Sequence, residues 1–290
     1  MSYLSKKYDL HCHSTASDGE LSPDELMRHA AANGVQAIAL TDHDVTDGLK
    51  PAALAAAELG LELISGVEIS ASWGKHLIHI VGLNFDIDNV ALQQGLAGLR
   101  EQRGVRAEKM AQRLQKKAGI ENALEGAQRY SKGRILSRTH FAQFLCREGH
   151  VKSLQSAFDR YLGDGKPAYI KSEWRPLEDA VGWITGAGGV AVIAHPARYK
   201  LSATKLRALI EDFKAAGGTG IEVVSGSQNK NDSRNIAEYA RRYELMASVG
   251  SDYHGPSQSW LKMEAIPPLP ADCVPIWQSW GEVKAVEGMA

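Results

Sequence analysis

Short apolar runs alternate with stretches of helical period along most of the chain. Residues 8–13, 35–40, 61–64 and 77–83 read as strands, and so do 189–194, 220–224 and 246–250. Helical patterns with local start and stop signals separate most of them. Ser22, Pro23 and Glu25 supply an N-cap, a first-turn proline and a capping box, and Asn33-Gly34 supplies the stop. An alanine-rich helix is expected over 49–59, ending at Gly60. Further helices are expected over 177–186, from Ser202 to Gly217-Gly218, and over 235–243. From Asn89 to Pro167 the pattern is helical, polar and basic, with no strong strand. Residues 99–167 therefore read as a helical insertion in a domain made of 1–98 and 168–290.

Apolar strands alternating with helices imply an α/β fold with a parallel sheet. About seven of them, with polar residues at their C-terminal ends, predict a closed TIM-like barrel with one unit missing. The site of such a barrel lies at the C-terminal face of its strands. The tail from Ile266, rich in Pro and Trp, is expected to pack against the barrel wall.

The polar residues at the strand ends are mostly metal-ligating types. His11 and His13 stand two apart on a strand and share a face, and Asp18 follows in the next loop. His43 and Glu68 follow the second and third strands, and His79 lies within the fourth. His195 follows the fifth, and Asp252 and His254 follow the seventh. Imidazole and carboxylate converging on one face suit a divalent transition metal. Any one of these, taken alone, is as readily a hydrogen-bonded surface residue. His76 faces away from His79 across the strand, and His29 and His150 read as surface residues. Glu222 is left open between the barrel mouth and a structural, hydrogen-bonded role. Cys12 is expected to pack rather than react.

Composition narrows the function classes. The net charge of -1 over 290 residues argues against bulk electrostatic capture of long nucleic acid. Three cysteines without CxxC spacing indicate neither a thiolate zinc site nor a disulfide framework. No signal peptide or membrane-spanning run is evident, so a soluble cytoplasmic protein without an obligate protein partner is expected.

Several of these stretches resemble one family together. Asp9-Leu10-His11-Cys12-His13-Ser14, Ser17-Asp18-Gly19, Thr41-Asp42-His43, Gly66-Val67-Glu68, His195-Pro196 and Gly250-Ser251-Asp252-Tyr253-His254 are similar to motifs of the PHP (polymerase and histidinol phosphatase) superfamily. The resemblance covers essentially the whole chain. It implies a distorted (β/α)7 barrel holding two or three divalent ions. One ion is implied at His11, His13, Glu68 and Asp252, a second at Glu68, His79 and His195, and a third at Asp18, His43 and His254. Asp18, His43, Glu68 and His254 count as catalytic as well as ligating. Within the family, Ser137-Arg138-Thr139-His140-Phe141-Ala142, Gly165-Lys166 and His195-Pro196-Ala197-Arg198-Tyr199 resemble the bacterial nucleoside 3′,5′-bisphosphate phosphatase and 5′→3′ exoribonuclease branch.

The implied chemistry needs no side-chain nucleophile. A bound metal lowers the pKa of its water, and paired metals ~3.5–4 Å apart clamp the attacked phosphoryl group. Mn2+ is the expected ion, while ligand type leaves Zn2+ and Fe2+ open. Arg134, Arg138, His140 and Lys171, with Arg198, are expected to cap a second phosphate, unless they are solvated charges on a helical face. Ser137 belongs with them, and Asp44 is expected near substrate as an orienter or leaving-group acid. The substrate is then a small nucleotide such as pAp, or short RNA. Two alternatives stand beside this reading: another phosphatase of the family, for instance of histidinol phosphate, and a non-catalytic barrel that only binds nucleotide.

Overall fold

The computed structural model describes residues 6–133, 135–171, 173–226, 228–257, 262–281, 283, 284 and 286. Seven strands form one sheet in sequential order: β1 (Tyr8–Cys12), β2 (Ala37–Leu40), β3 (Glu62–Trp73), β4 (His76–Leu83), β5 (Val190–Ile193), β6 (Gly220–Ser225) and β7 (Met246–Gly250). β1 and β2 are buried along their whole length; β2 is a continuous apolar run covered on both faces, and β1 carries buried Asp9 and His11 between its apolar residues. The sheet comes round on itself. Asp252 N donates to His11 O at 2.8 Å, and His13 N donates to Tyr253 O at 2.9 Å. The segment after β7 thus ties the last strand to the first and nearly closes a barrel.

The sheet is not wholly parallel, contrary to the strand–helix expectation. β3 runs on past residue 64 for nine more residues and turns at Gly74-Lys75 straight into β4. β4 therefore lies antiparallel to both β3 and β5. Gly74, at φ +55, supplies the positive φ that a two-residue hairpin turn requires. This hairpin replaces one helix and brings Glu68 and His79 in from mid-strand rather than from strand ends.

Helices α1 (Pro23–Ala32) and α2 (Leu49–Leu59) cover the first half of the barrel. Ser22 N donates to the Glu25 carboxylate at 2.9 Å, which is the capping box read from the sequence. Helix α3 (Val90–Ala118) is a 29-residue spine, about 43 Å long at 1.5 Å per residue. Its Leu92, Leu96 and Leu99 join the barrel core. Further along, its Ala107, Met110 and Leu114 join a second apolar cluster with α4 (Ala123–Gln128) and α5 (Arg138–Arg147). α6 (Leu154–Ala157) and a π-turn at Phe158–Leu162 complete that cluster.

The barrel resumes with α7 (Leu177–Gly186), α8 (Ala203–Ala215) and α9 (Lys230–Arg242). α9 begins five residues before the expected start, because Asn229 and Asp232 form a capping box there. The tail packs on the wall as expected. Trp277 stacks on Tyr8 with ring centroids 4.0 Å apart, and Ile276 is buried. Among the described residues, no helix is long and apolar enough to cross a membrane.

Candidate metal centre

All nine expected ligands meet at the mouth of the barrel, around Glu68. Its Oε1 lies 2.8 Å from His79 Nδ1 and 2.9 Å from His195 Nε2. Its Oε2 lies 3.4 Å from the Nε2 atoms of both His11 and His13. Asp252 Oδ1 closes that group, 3.6 Å from His11 Nε2 and 3.4 Å from His13 Nε2. Asp18 Oδ1 faces His254 Nε2 at 3.6 Å and His43 Nε2 at 3.8 Å. The His43 ring stands between two groups, since its Nδ1 is 2.9 Å from Glu68 Oε2.

The backbone here is strained. Asp44, His195 and Asp252 all have positive φ, at 53, 30 and 52°. Such non-glycine positions cost about 1–3 kcal/mol each and persist only where the surroundings fix them. Gly250 is required for a related reason: a Cβ there would lie 2.2 Å from the His11 Cβ.

Buried acids orient the ligands. Glu222, undecided from the sequence, accepts from His195 N at 2.6 Å and lies 3.0 Å from His11 Nδ1. Asp9 takes Ser251 N and Oγ at 2.8 and 2.6 Å, locking the end of β7 to β1. Asp42 takes Ser14 N, Ser14 Oγ and Ser17 Oγ at 2.6–2.8 Å, which shapes the loop carrying Asp18. Thr139 at the start of α5 donates to Asp18 Oδ2 at 3.1 Å, so the helical region touches the centre directly.

The electrostatics match a cation site. Burial alone would raise the Glu68 carboxyl, but the imidazoles of His79, His43 and His11 hold it well below its ordinary value. Asp252 is likewise kept ionised against burial by His11 and its neighbours. Burial pushes His13 down to about 3 and His79 down to about 4, which leaves neutral rings. His43 is burial-penalised yet drawn up to about 9 by Glu68 and Asp18, so a proton there does what a cation would do.

The donor atoms fit a metal. His11 Nε2, His13 Nε2 and Asp18 Oδ1 are buried without a hydrogen-bond partner. Each such atom costs about 1–3 kcal/mol in an ordinary interior. Here they converge. Three groups have donor atoms within 4.8 Å of one another: His13, Asp18, His43 and His254; His11, His13 and Asp252; His43, Glu68 and His79.

A cavity of about 1130 Å³ runs from this cluster to the helical region. Ser137, Arg138 and Arg198 line it, and Arg198 pairs with Asp252. Three expected substrate residues do not. Lys171 lines a separate cavity of about 610 Å³, with Glu101, Lys109 and Trp183. His140 is buried, and its Nδ1 accepts from Ser137 N at 3.1 Å; it caps α5 as a neutral ring instead of presenting a cation. Burial lowers its pKa accordingly. Asp44 has no exposed surface and is taken up by Arg103 at 2.6 Å and Ser70 N at 2.7 Å. It sits behind the site, so it acts as an orienter at most. Arg134 lies outside the described residues.

The sequence reading missed Arg103, which holds Asp44 behind the site. A signal existed for Arg103. It occupies a slot in the apolar stripe Leu92, Leu96, Leu99, Arg103, Ala107, Met110, Leu114, where a solvated charge has no place.

A nearly closed seven-stranded barrel with an imidazole–carboxylate cluster at its mouth defines a metal-binding barrel protein. Family comparison makes this specific: the chain belongs to the PHP domain family, which matches residues 9–225. It is 49% identical over 271 residues to the 3′,5′-nucleoside bisphosphate phosphatase of Chromobacterium violaceum, covering 93% of this chain and 95% of that protein. It is 43% identical over 275 residues to the 5′-3′ exoribonuclease Rnm of Escherichia coli, covering 94% and 93%. Among solved structures, a Chromobacterium violaceum protein described as an amidohydrolase, with bound sulfate and no metal, superposes with TM-score 0.90 at 48% identity over 94% of this chain and 95% of that one. A proposed metal-dependent phosphoesterase from Bifidobacterium adolescentis gives TM-score 0.80 at 27% identity, covering 94% of each chain.

Proposed function

We propose that this protein is a metal-dependent phosphoesterase that removes the 3′-phosphate of nucleoside 3′,5′-bisphosphates such as pAp. In the same geometry it shortens 5′-phosphorylated RNA from the 5′ end. One observation carries the reading: nine side chains of metal-ligating type gather at the barrel mouth, and the cavity over them is also lined by Arg138. The names of the Chromobacterium violaceum and Escherichia coli relatives support it.

His11, His13, Glu68 and Asp252 would hold one ion, Glu68, His79 and His195 a second, and Asp18, His43 and His254 a third. When bound, such ions supply Lewis acidity to phosphoryl oxygens and lower the pKa of water. With no thiolate in the set, Mn2+ is the favoured ion. The protein's own groups do the positioning. Glu222 fixes the His11 ring so that Nε2 faces inward. Arg198 was expected to cap the second phosphate, but its pairing with Asp252 favours a place beside the reacting phosphoryl group instead. The helical region at 99–167 forms the cap, with Arg138 reaching the phosphate that does not react. Binding energy from that phosphate orients the reacting one.

The test is to incubate the Mn2+ enzyme with pAp and resolve the products, with 5′-AMP and inorganic phosphate expected. Recovery of 3′-AMP would reverse the assigned orientation. Rapid hydrolysis of histidinol phosphate beside an inert pAp would sink the nucleotide reading. Arg138→Ala should raise KM for pAp by about 10- to 100-fold, the scale of a hydrogen bond to a charged group. A simple aryl phosphate should be nearly unaffected, and equal effects on both would remove Arg138 from the second-phosphate site.

A further inference from the structure

The two oxygens of the Asp18 carboxylate face different parts of the molecule. Oδ1 faces His254 Nε2 at 3.6 Å and His43 Nε2 at 3.8 Å. Oδ2 accepts from the Thr139 hydroxyl at 3.1 Å, and among the described residues no other hydrogen bond reaches this carboxylate. Asp42 shapes the loop through Ser14 and Ser17 and does not hold the Asp18 side chain itself. Asp18 and Thr139 are 121 positions apart and belong to different packing units. Asp18 follows the first barrel strand, whereas α5 packs Phe141, Ala142, Phe144 and Leu145 into the second apolar cluster.

The turn that carries Thr139 is itself fixed. Ser137 Oγ accepts from Thr139 N at 3.0 Å, and Ser137 N donates to His140 Nδ1 at 3.1 Å. A Cβ at Gly133 would lie 2.2 Å from Ala16 O, so the chain leading into α5 rests directly on the loop of Asp18. A carboxylate turns easily about its terminal bond, because that torsion is broad and two-fold. A donor fixed on one oxygen removes this freedom and decides where the other oxygen points. Partners of this kind behind a ligating group are worth about 10- to 100-fold in metal affinity or activity.

We infer that Thr139 is a positioning residue for the ion that Asp18, His43 and His254 would hold, so that a residue of the helical region completes an ion site of the barrel. The inference rests on the three-ion arrangement proposed above. Thr139 touches no reacting atom and acts through Asp18.

The test titrates Mn2+ into substrate-free protein by calorimetry, with circular dichroism as the control for folding. Thr139→Val keeps the shape and removes the hydroxyl, and it should weaken one class of bound Mn2+ by about 10- to 100-fold. Thr139→Ser keeps the hydroxyl and should stay within about twofold of wild type. In an Asp18→Asn background the same Thr139→Val change should add almost nothing, because the two residues act as one unit. Kinetics give a second readout. At limiting Mn2+, kcat of Thr139→Val for pAp should fall with KM nearly unchanged, and excess Mn2+ should restore it. Unchanged Mn2+ affinity in Thr139→Val, or an equal loss in the Asp18→Asn background, would overturn the inference. A raised KM with unchanged kcat and Mn2+ affinity would also overturn it, by placing Thr139 on the substrate. Wild-type protein that binds Mn2+ yet releases nothing from pAp would strike at the phosphoesterase reading alone, and the Mn2+ comparison would still decide the role of Thr139.

Discussion

Glu68→Gln should lower turnover by about three orders of magnitude and strip metal from the purified protein. Glu68 is wholly buried, and His11, His13, His43, His79 and His195 all approach its two oxygens within 3.4 Å. The amide keeps the shape and removes the charge that two ion positions would share. Lewis-acid stabilisation is worth several kcal/mol, and each 1.36 kcal/mol is tenfold in rate, which gives the ~10³ figure. Metal content by mass spectrometry, with circular dichroism as the control for folding, reads the effect independently of activity. A folded Glu68→Gln protein with full metal content and full turnover would remove the bridging role.

The second large effect is on stability. Arg103→Met should destabilise the fold by about 3–5 kcal/mol, because it leaves Asp44 as a buried charge without its partner. Arg103 is 6% exposed and Asp44 is 0% exposed, so water cannot replace the lost contact. The pair also fastens α3 to the loop behind His43, where Asp44 Oδ1 accepts from Ser70 N. Urea denaturation of Arg103→Met, Asp44→Asn and the double variant measures it. The double variant should lose much less than the sum of the two, since each single change strands the other group. A strictly additive result, or a loss below about 1 kcal/mol for Arg103→Met, would mean that the ion pair is not what holds α3 there.

The centre was legible from the chain because its chemistry is written in short strand-end segments. His11 and His13 share a face by the period of the strand alone, and Asp252 and His254 follow a strand whose bounds the apolar run already marks. The substrate side was less legible. Arg138 and Lys171 look alike in sequence, as basic residues in or beside a polar helical region. One lines the reactive cavity and the other lines a separate one. His140 looks like a cation and is a cap, because Ser137 N donates to its ring.

What the sequence determined by itself was local: most of the strands and helices, the caps at Ser22 and Ser202, and the residue types gathered at the strand ends. These follow from periodicity and from hydrogen bonds spanning three or four residues. The tertiary structure alone decided the antiparallel β3–β4 hairpin, the burial of Asp44 behind Arg103, and the turn of Glu222 toward His11 and His195. Each of those depends on partners far away in the chain. Glu222 and His11 are 211 residues apart, and nothing in the pattern around either one says that they will meet. A buried acid takes the donors that the packed barrel brings within reach, and that choice exists only once the barrel has closed.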